Sequence, residues 1–561
     1  MISIHEQYKK QLIEAGFSGE ISGDKKDTSA HMTDESIFAI EPQLVIYPKS
    51  TQDVVRAVSA ITDLQSKENP IHLTPRAAGT GLSGGSLNDS VVMNTTKHLN
   101  TIHSVKKTES GARMTIDPGV MHLDLEKHMD KLGVYIPSYP ASKDICTVGG
   151  MVGNNSAGPD TLRYGHTASF VRELEVVLHD AQIYTIKPLT WREFEPELSR
   201  NDALGEIYRH VWELLLHNEE SVLNARPKTA KNSAGYALWD VVSTTVEEFM
   251  KDRGVFDLTQ AFTGSQGTLG VVTRIVIDAL DKNTSDSLLA IPIFDLDQAG
   301  LVIDELLQHK PHSVELFDQA TYNAALRNPG FFKQRLSGLK YYRVMTSLYA
   351  NYIFRFKAKA PEFIILANIE QSKNISIADI VKDLETKHNT HAIEVTNAIQ
   401  SEMFWQIRRA SYLLSKTQSA NMRPAAFLED MAVPPKNLPG FFKEIQELFV
   451  KHNIQAFIHG HGGNGHLHFY PLLDFTDPNT AKRIPVMAED FFQTATKHGG
   501  NICGEHNDGI IRTPYLNLMF DKTGIAMFED FENVCDPHDI FNPGKKVNPR
   551  FTVAKNIRHT N

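Results

Sequence analysis

The ten residues from His459 to His468 include four histidines and four glycines, a composition that suits neither a helix nor an apolar core. From His466 the order His-Leu-His-Phe-Tyr alternates, so an extended strand puts His466, His468 and Tyr470 on one face. The glycines before it let the chain turn sharply enough to bring His461 back to that face. Further on, Gly504-Glu-His-Asn-Asp-Gly509 offers Glu505. Two histidines and a carboxylate suit zinc or another borderline divalent ion. The competing reading is a glycine-rich turn whose histidines hydrogen-bond backbone.

Three more clusters precede this one. Thr74-Pro-Arg-Ala-Ala-Gly-Thr-Gly-Leu-Ser-Gly-Gly-Ser86 contains the spacing Gly79-Thr-Gly81-Leu-Ser-Gly84. A dinucleotide loop of that spacing opens a helix, whereas this one runs into a turn at Asn88-Asp-Ser90 and a short strand at Val91-Val-Met93. A glycine loop between strands still wraps a pyrophosphate through backbone N–H groups, with Arg76 and Thr80 as nearby donors. Thr147-Val-Gly-Gly-Met-Val-Gly-Asn-Asn-Ser-Ala-Gly158 is small and amide-rich, which permits close approach of backbone to a ligand. Gly264-Ser-Gln-Gly-Thr-Leu-Gly270 leads into a strand over 271–277.

With 561 residues and 41% hydrophobic content, the chain can bury a large core in more than one domain. A net charge of −10 without a dominant basic stretch leaves no nucleic-acid footprint. No run approaches the ~18 apolar residues that span a bilayer. The first residues have neither a basic region nor a hydrophobic core and include early acids, so no signal or transit peptide is expected. Cys146, Cys503 and Cys535 cannot make a disulfide framework and fall short of the four thiolates an iron–sulfur cluster usually takes.

Periodicity predicts an amphipathic helix over 8–15, helices over 53–61, 297–307 and 438–449, and strands over 44–48, 174–178, 289–294 and 363–367. The second half reads as a sheet covered on one face. The segment 331–359, rich in Tyr, Phe, Lys and Arg, reads as a surface helix, with a lid or membrane-surface patch as the alternative.

In this order, PRAAGTGLSGG, TVGGMVGNNSAG with RYGHT, GSQGTLGVVT, HGHGGNGHLH, GEHNDG and FNPGK, the motifs resemble those of the FAD-dependent D-2-hydroxyacid dehydrogenases of the vanillyl-alcohol-oxidase superfamily. The resemblance runs from about residue 43 to 547. It implies an α+β fold: a helical extension (1–40), a two-subdomain PCMH-type FAD-binding domain (41–285), a substrate-capping α+β domain with an antiparallel sheet (286–500) and a segment returning to the flavin (501–561). It also implies FAD and a divalent metal, zinc before manganese or iron, held by His461, His468 and Glu505. His506 is then the base, Arg408 grips the substrate carboxylate, and Tyr412, one turn on, shares its face.

For the flavin the resemblance implies Arg76, Ala77, Ala78, Gly79, Thr80 and Gly81 around the pyrophosphate. Thr147, Gly149, Gly150, Asn154 and Ser156 fall beside the isoalloxazine, Val271 and Val272 near the adenine, and Asn542 near the ring. Residues 75–86 contain no histidine, the covalent attachment point of some relatives, so the FAD is noncovalent.

The chain departs from the family at His466 (commonly Asn), Asn464 (Asp), Gln266 (Glu) and Ala77-Ala78 (Gly-Gly). Tyr470 and Leu428 stand where hydroxyglutarate enzymes show Asn and Lys, which favours D-lactate or a bulkier monocarboxylic acid. Electrons are expected to leave for a separate acceptor: a quinone, cytochrome, electron-transfer flavoprotein, iron–sulfur protein, dye or oxygen. A cytoplasmic enzyme is expected, with docking on the inner face of a membrane and a homodimer left open. A D-2-hydroxyglutarate or glycolate dehydrogenase, a flavin-dependent oxidase or transferase of the alkyl-ether lipid synthase type, and a non-enzymatic flavin subunit are the alternatives.

Overall fold

The structure, a computed structural model, describes residues 3–282, 286–333, 335–336, 338–351, 360–370, 376–417 and 421–558. Three sheets organise it. In the first, Glu20–Ser22, Leu44–Tyr47, Val91–Asn94 and Leu73–Arg76 lie side by side, the last three parallel. The helix Thr51–Leu64 packs on this sheet through Val54, Ala57, Val58 and Ile61, its first turn capped by Ser50. The chain end returns here, with the backbone of Ile540 and Asn542 bonded to Leu73.

The second sheet is antiparallel, in the order Ile102–Thr108, Gly111–Ile116, Val271–Asp281, Val171–Val177, Ile183–Ile186. Val271–Asp281 alternates buried with half-buried residues, the signature of a strand with one face on the core.

The third sheet is also antiparallel. It runs Ile393–Glu394, Asp286–Ile293, Phe363–Glu370, Ser313–Asp318, Ala456–His461, His466–Asp474, Met422–Pro424, with Leu428–Ala432 pairing on His466–Asp474 as well. It differs from the expected sheet with one face open. Leu288 and Ala290 pack in one apolar cluster and Leu289 and Ile291 in another, so both faces are covered. The continuous apolar run of these strands, rather than an alternating one, is the physical cause.

The helix Ala398–Ser415 covers one face. Asn397 caps it, and it buries Phe404, Ile407, Arg408, Ser411 and Leu414 at helical spacing, so Arg408 belongs to the inward stripe. The helix Gly338–Asn351 buries Val344, Met345 and Leu348 in the same cluster, as a surface helix does, and residues 352–359 of the Tyr- and Lys-rich segment lie outside the described residues. No helix among the described residues is long and apolar enough to cross a membrane.

Candidate active site

The histidine-rich run folds as a β-hairpin. His461 pairs with His466 and His459 with His468 across Ala456–His461 and His466–Asp474. Gly465 closes the turn at φ +63°, and a Cβ there would lie 1.8 Å from the Val433 carbonyl oxygen, so glycine is required. Because both strands alternate, all four histidines point to one face, with ring centroids of neighbouring pairs 4.6 to 5.5 Å apart.

Buried acceptors fix the inner nitrogens. Nδ1 of His468 donates to the Glu429 carbonyl oxygen, and Nδ1 of His461 stands 2.7 Å from Glu315 Oε1. Each ring therefore turns Nε2 toward Glu505 Oε1, at 3.1 Å for His461 and 3.5 Å for His468. Three acceptor-capable atoms that converge this way require a proton or a cation between them. His461, His466, His468 and Glu505 offer ligand atoms all within 4.8 Å of one another. Nδ1 of His466 is buried without a hydrogen-bond partner 3.9 Å from Glu505 Oε2, while its Nε2 is held by Asp430. This donor set fits a divalent metal.

Asp430 also positions the next two groups, since its carboxylate accepts from the backbone N–H of both Glu505 and His506. Lys231, fully buried, pairs with Glu505 Oε2 at 2.5 Å. Burial works to raise the Glu505 carboxyl, but Lys231, His461 and His466 outweigh it and hold the group well below the usual range. Burial would lower His506, yet Asp430, Glu429 and Glu505 raise it above an ordinary histidine. A divalent cation beside it would act in the opposite sense.

Arg408 is buried and pairs with Glu315 Oε2 at 2.7 Å, so one carboxylate orients both Arg408 and His461. Its Nε has no partner. Arg512, also buried, pairs with Glu429 and braces the Asn507 carbonyl.

These groups open on a cavity of about 980 Å3. Ala77, Ala78, Gly79, Thr80 and Gly81 line it from the first loop, and Thr147, Gly149, Gly150, Asn154 and Ser156 from the helix Val148–Asn154 and its flanks. Val272, Arg408, Tyr412, His459, His461, His468, Tyr470, Glu505 and His506 line it as well. Neither Ala77 nor Ala78 has a positive φ, so their methyl groups cost no backbone strain. Gly79 does, at +70°, and a Cβ there would meet the Arg76 guanidinium at 2.3 Å.

Three other residues that the resemblance assigns to the flavin make contacts within the protein. Arg76 reaches the cavity wall, but its guanidinium donates to the carbonyls of His31 and Thr33, which makes it a brace for the loop. Val271 is fully buried in the apolar core and is absent from the lining. Asn542 sits behind the loop, its amide donating to the carbonyls of Gly85 and Gln266. Gln266 ties Ser83 to Gly509 by donating with one end and accepting with the other, a task for an amide. The Asn154 amide holds the Glu505 carbonyl at 2.7 Å, joining the two sides of the cavity.

Residues 42–187 match the FAD binding domain, and residues 282–546 match the FAD linked oxidases, C-terminal domain. The chain belongs to the PCMH-type FAD-linked oxidase family. Its FAD-binding half accounts for the glycine-lined wall, and its oxidase half carries the hairpin and Glu505. Among curated relatives of this family, D-2-hydroxyglutarate dehydrogenase of Escherichia coli (strain K12) is 26% identical over 555 residues, covering 97% of this chain and 52% of that protein. The chain thus spans about half the length of that relative. The glycolate oxidase subunit GlcD of Bacillus subtilis (strain 168) is 26% identical over 90% of this chain and 88% of its own. In fold, the chain resembles 4-ethylphenol oxidase from Gulosibacter chungangensis, with a TM-score of 0.66 at 14% identity and 97% coverage of both chains.

Sequence reasoning missed Glu315, Lys231, Arg512 and the pair Glu429-Asp430. The last pair carried a signal: two adjacent acids inside the apolar run 425–433 are expensive to bury without partners.

Proposed function

We propose that this protein is an FAD-dependent, metal-assisted dehydrogenase that oxidises a D-2-hydroxy acid with one carboxylate, lactate-like at its reacting end, to the 2-keto acid. The observation that carries the reading is the convergence of Arg408, Glu505, His506, His461 and His468 on the cavity lined by the glycine-rich loops. When bound, FAD supplies hydride acceptance, and a divalent cation on His461, His468 and Glu505 supplies Lewis-acid stabilisation of the developing alkoxide.

The chain's own residues do the rest. Arg408 grips the substrate carboxylate, oriented by Glu315. Tyr412, whose phenol burial pushes up and keeps protonated, offers a donor on the same helix face. His506 takes the hydroxyl proton at Nε2, while Glu429 and Asp430 on its Nδ1 side stabilise the imidazolium that results. An acceptor outside the site would take the electrons that bound FAD receives.

Anaerobic titration of the purified protein with D- and L-2-hydroxy acids tests this, together with metal analysis before and after chelation. Flavin bleaching by a D-acid, lost on chelation, is the expected result. A flavin that stays oxidised with every acid would sink the reading and shift the weight to a transferase.

A further inference from the structure

His459 has no part in the chemistry proposed above. It lies across the hairpin from His468 and lines the cavity, and its Nδ1 is buried without a hydrogen-bond partner, a group that a ligand completes. Its ring lies flat on Tyr470, with centroids 5.3 Å apart and planes 15° apart. Tyr412 lies against Tyr470 in turn, at 4.8 Å. Trp405 and Leu82, which also line the cavity, pack in the same apolar cluster as Tyr412 and Tyr470.

Besides Arg408, two basic side chains at this end of the helix line the cavity: Lys416, paired with Glu35 at 2.7 Å and 4.4 Å from the Tyr412 ring centroid, and Arg409, exposed, its Nε donating to the Trp405 carbonyl. Leu428 is fully buried and contributes nothing to the lining. A second substrate carboxylate here would lose its water with no buried cation beyond Arg408, which is already paired with Glu315, to replace it. A methyl group would make little contact with these rings where they line the cavity. A flat ring would stack on them in offset or edge-to-face geometry.

Resting on the D-2-hydroxy acid reading, we infer that His459, Tyr470 and Tyr412 form an aromatic subsite, and that the substrate is a monocarboxylic 2-hydroxy acid whose side chain ends in a planar ring.

The test follows flavin bleaching of the holoprotein by stopped flow under anaerobic conditions. The reductants are D-3-phenyllactate, D-lactate and D-2-hydroxyglutarate. The second-order rate constant for phenyllactate is expected to exceed the other two by about tenfold or more, and Tyr470→Leu or His459→Ala to cut that preference by about fivefold or more. Lactate or hydroxyglutarate reacting as fast as phenyllactate in the wild type overturns the subsite and leaves the dehydrogenase standing. A flavin that no D-2-hydroxy acid bleaches overturns both. Should a variant lose its flavin, competition between phenylpyruvate and pyruvate for the wild-type flavin decides. Tighter phenylpyruvate binding upholds the subsite, and equal binding overturns it.

Discussion

The cavity has two walls built on different physics. The wall of 77–81 and 147–156 is made of small residues and backbone, and its demands are conformational: φ +70° at Gly79, and no room at Gly149, where a Cβ would fall 2.5 Å from the Pro118 carbonyl oxygen. The wall of the hairpin and Glu505-His506 is made of buried charge. Glu315, Glu429, Asp430 and Glu505 face Lys231, Arg408, Arg512 and a ring of histidines. A backbone wall is broken by adding atoms, and a charged wall by removing one group and stranding its partner.

The largest effect is expected on the charged wall. His506→Asn should lower the rate of flavin reduction by about 10²–10⁴, with the FAD absorbance of the purified protein intact. Glu505→Gln should go further than catalysis. It leaves Lys231 buried with no carboxylate and should cost about 3–5 kcal/mol of stability, read by urea denaturation, together with loss of bound metal. If that variant is as stable as wild type, the wall is not held by charge balance.

The backbone wall should respond in the opposite pattern. Gly79→Ala forces a side chain into a left-handed conformation and should cost roughly 1–2 kcal/mol of stability, less than Glu505→Gln, while weakening FAD binding by about tenfold. Flavin retention after dialysis measures it.

A pH effect sharpens the contrast between carboxylates with and without a cation. Glu505, facing Lys231, is pushed down, whereas Glu532 is pushed up to about 8, first by burial and then by Asp536 and Asp539, against the opposing hydrogen bond from Tyr236. The folded chain therefore keeps a proton on Glu532 that the unfolded chain releases near 4.5. Stability is full below that pH, declines as pH rises through about 8, and is flat beyond. Glu532→Gln should reduce this decline, seen as a shallower fall in Tm between pH 5 and 8. An unchanged slope would mean that Glu532 ionises freely.

Both walls differ in how far they could be read in advance. Glycine and alanine clusters are local, so Ala77 to Gly81 and Thr147 to Ser156 stand out in one dimension and do line the cavity. Period-two alternation put His466, His468 and Tyr470 on one face, and the hairpin keeps them there. Arg408 was nameable, but its buried partner Glu315 was not, because the pair is made by helix Ala398–Ser415 packing against strand Ser313–Asp318. Arg76 is the converse case. Its place in the loop suggested a phosphate donor, but not that its guanidinium also donates to the carbonyls of His31 and Thr33, far back in the chain. The open sheet face was also misjudged, since short apolar strands look alike whether one face or both are covered.

From its residues alone, then, this chain offered glycine loops and histidines gathered on one strand face, and its motif order resembled that of an α+β flavoprotein family: glycine placement, strand alternation and motif order are local properties that survive without coordinates. Folding settled which charges meet. Lys231 to Glu505, Glu315 to His461 and Glu429 to Arg512 join positions far apart in the chain. An ion pair in low dielectric depends on a separation of a few ångströms, which no spacing along the sequence encodes.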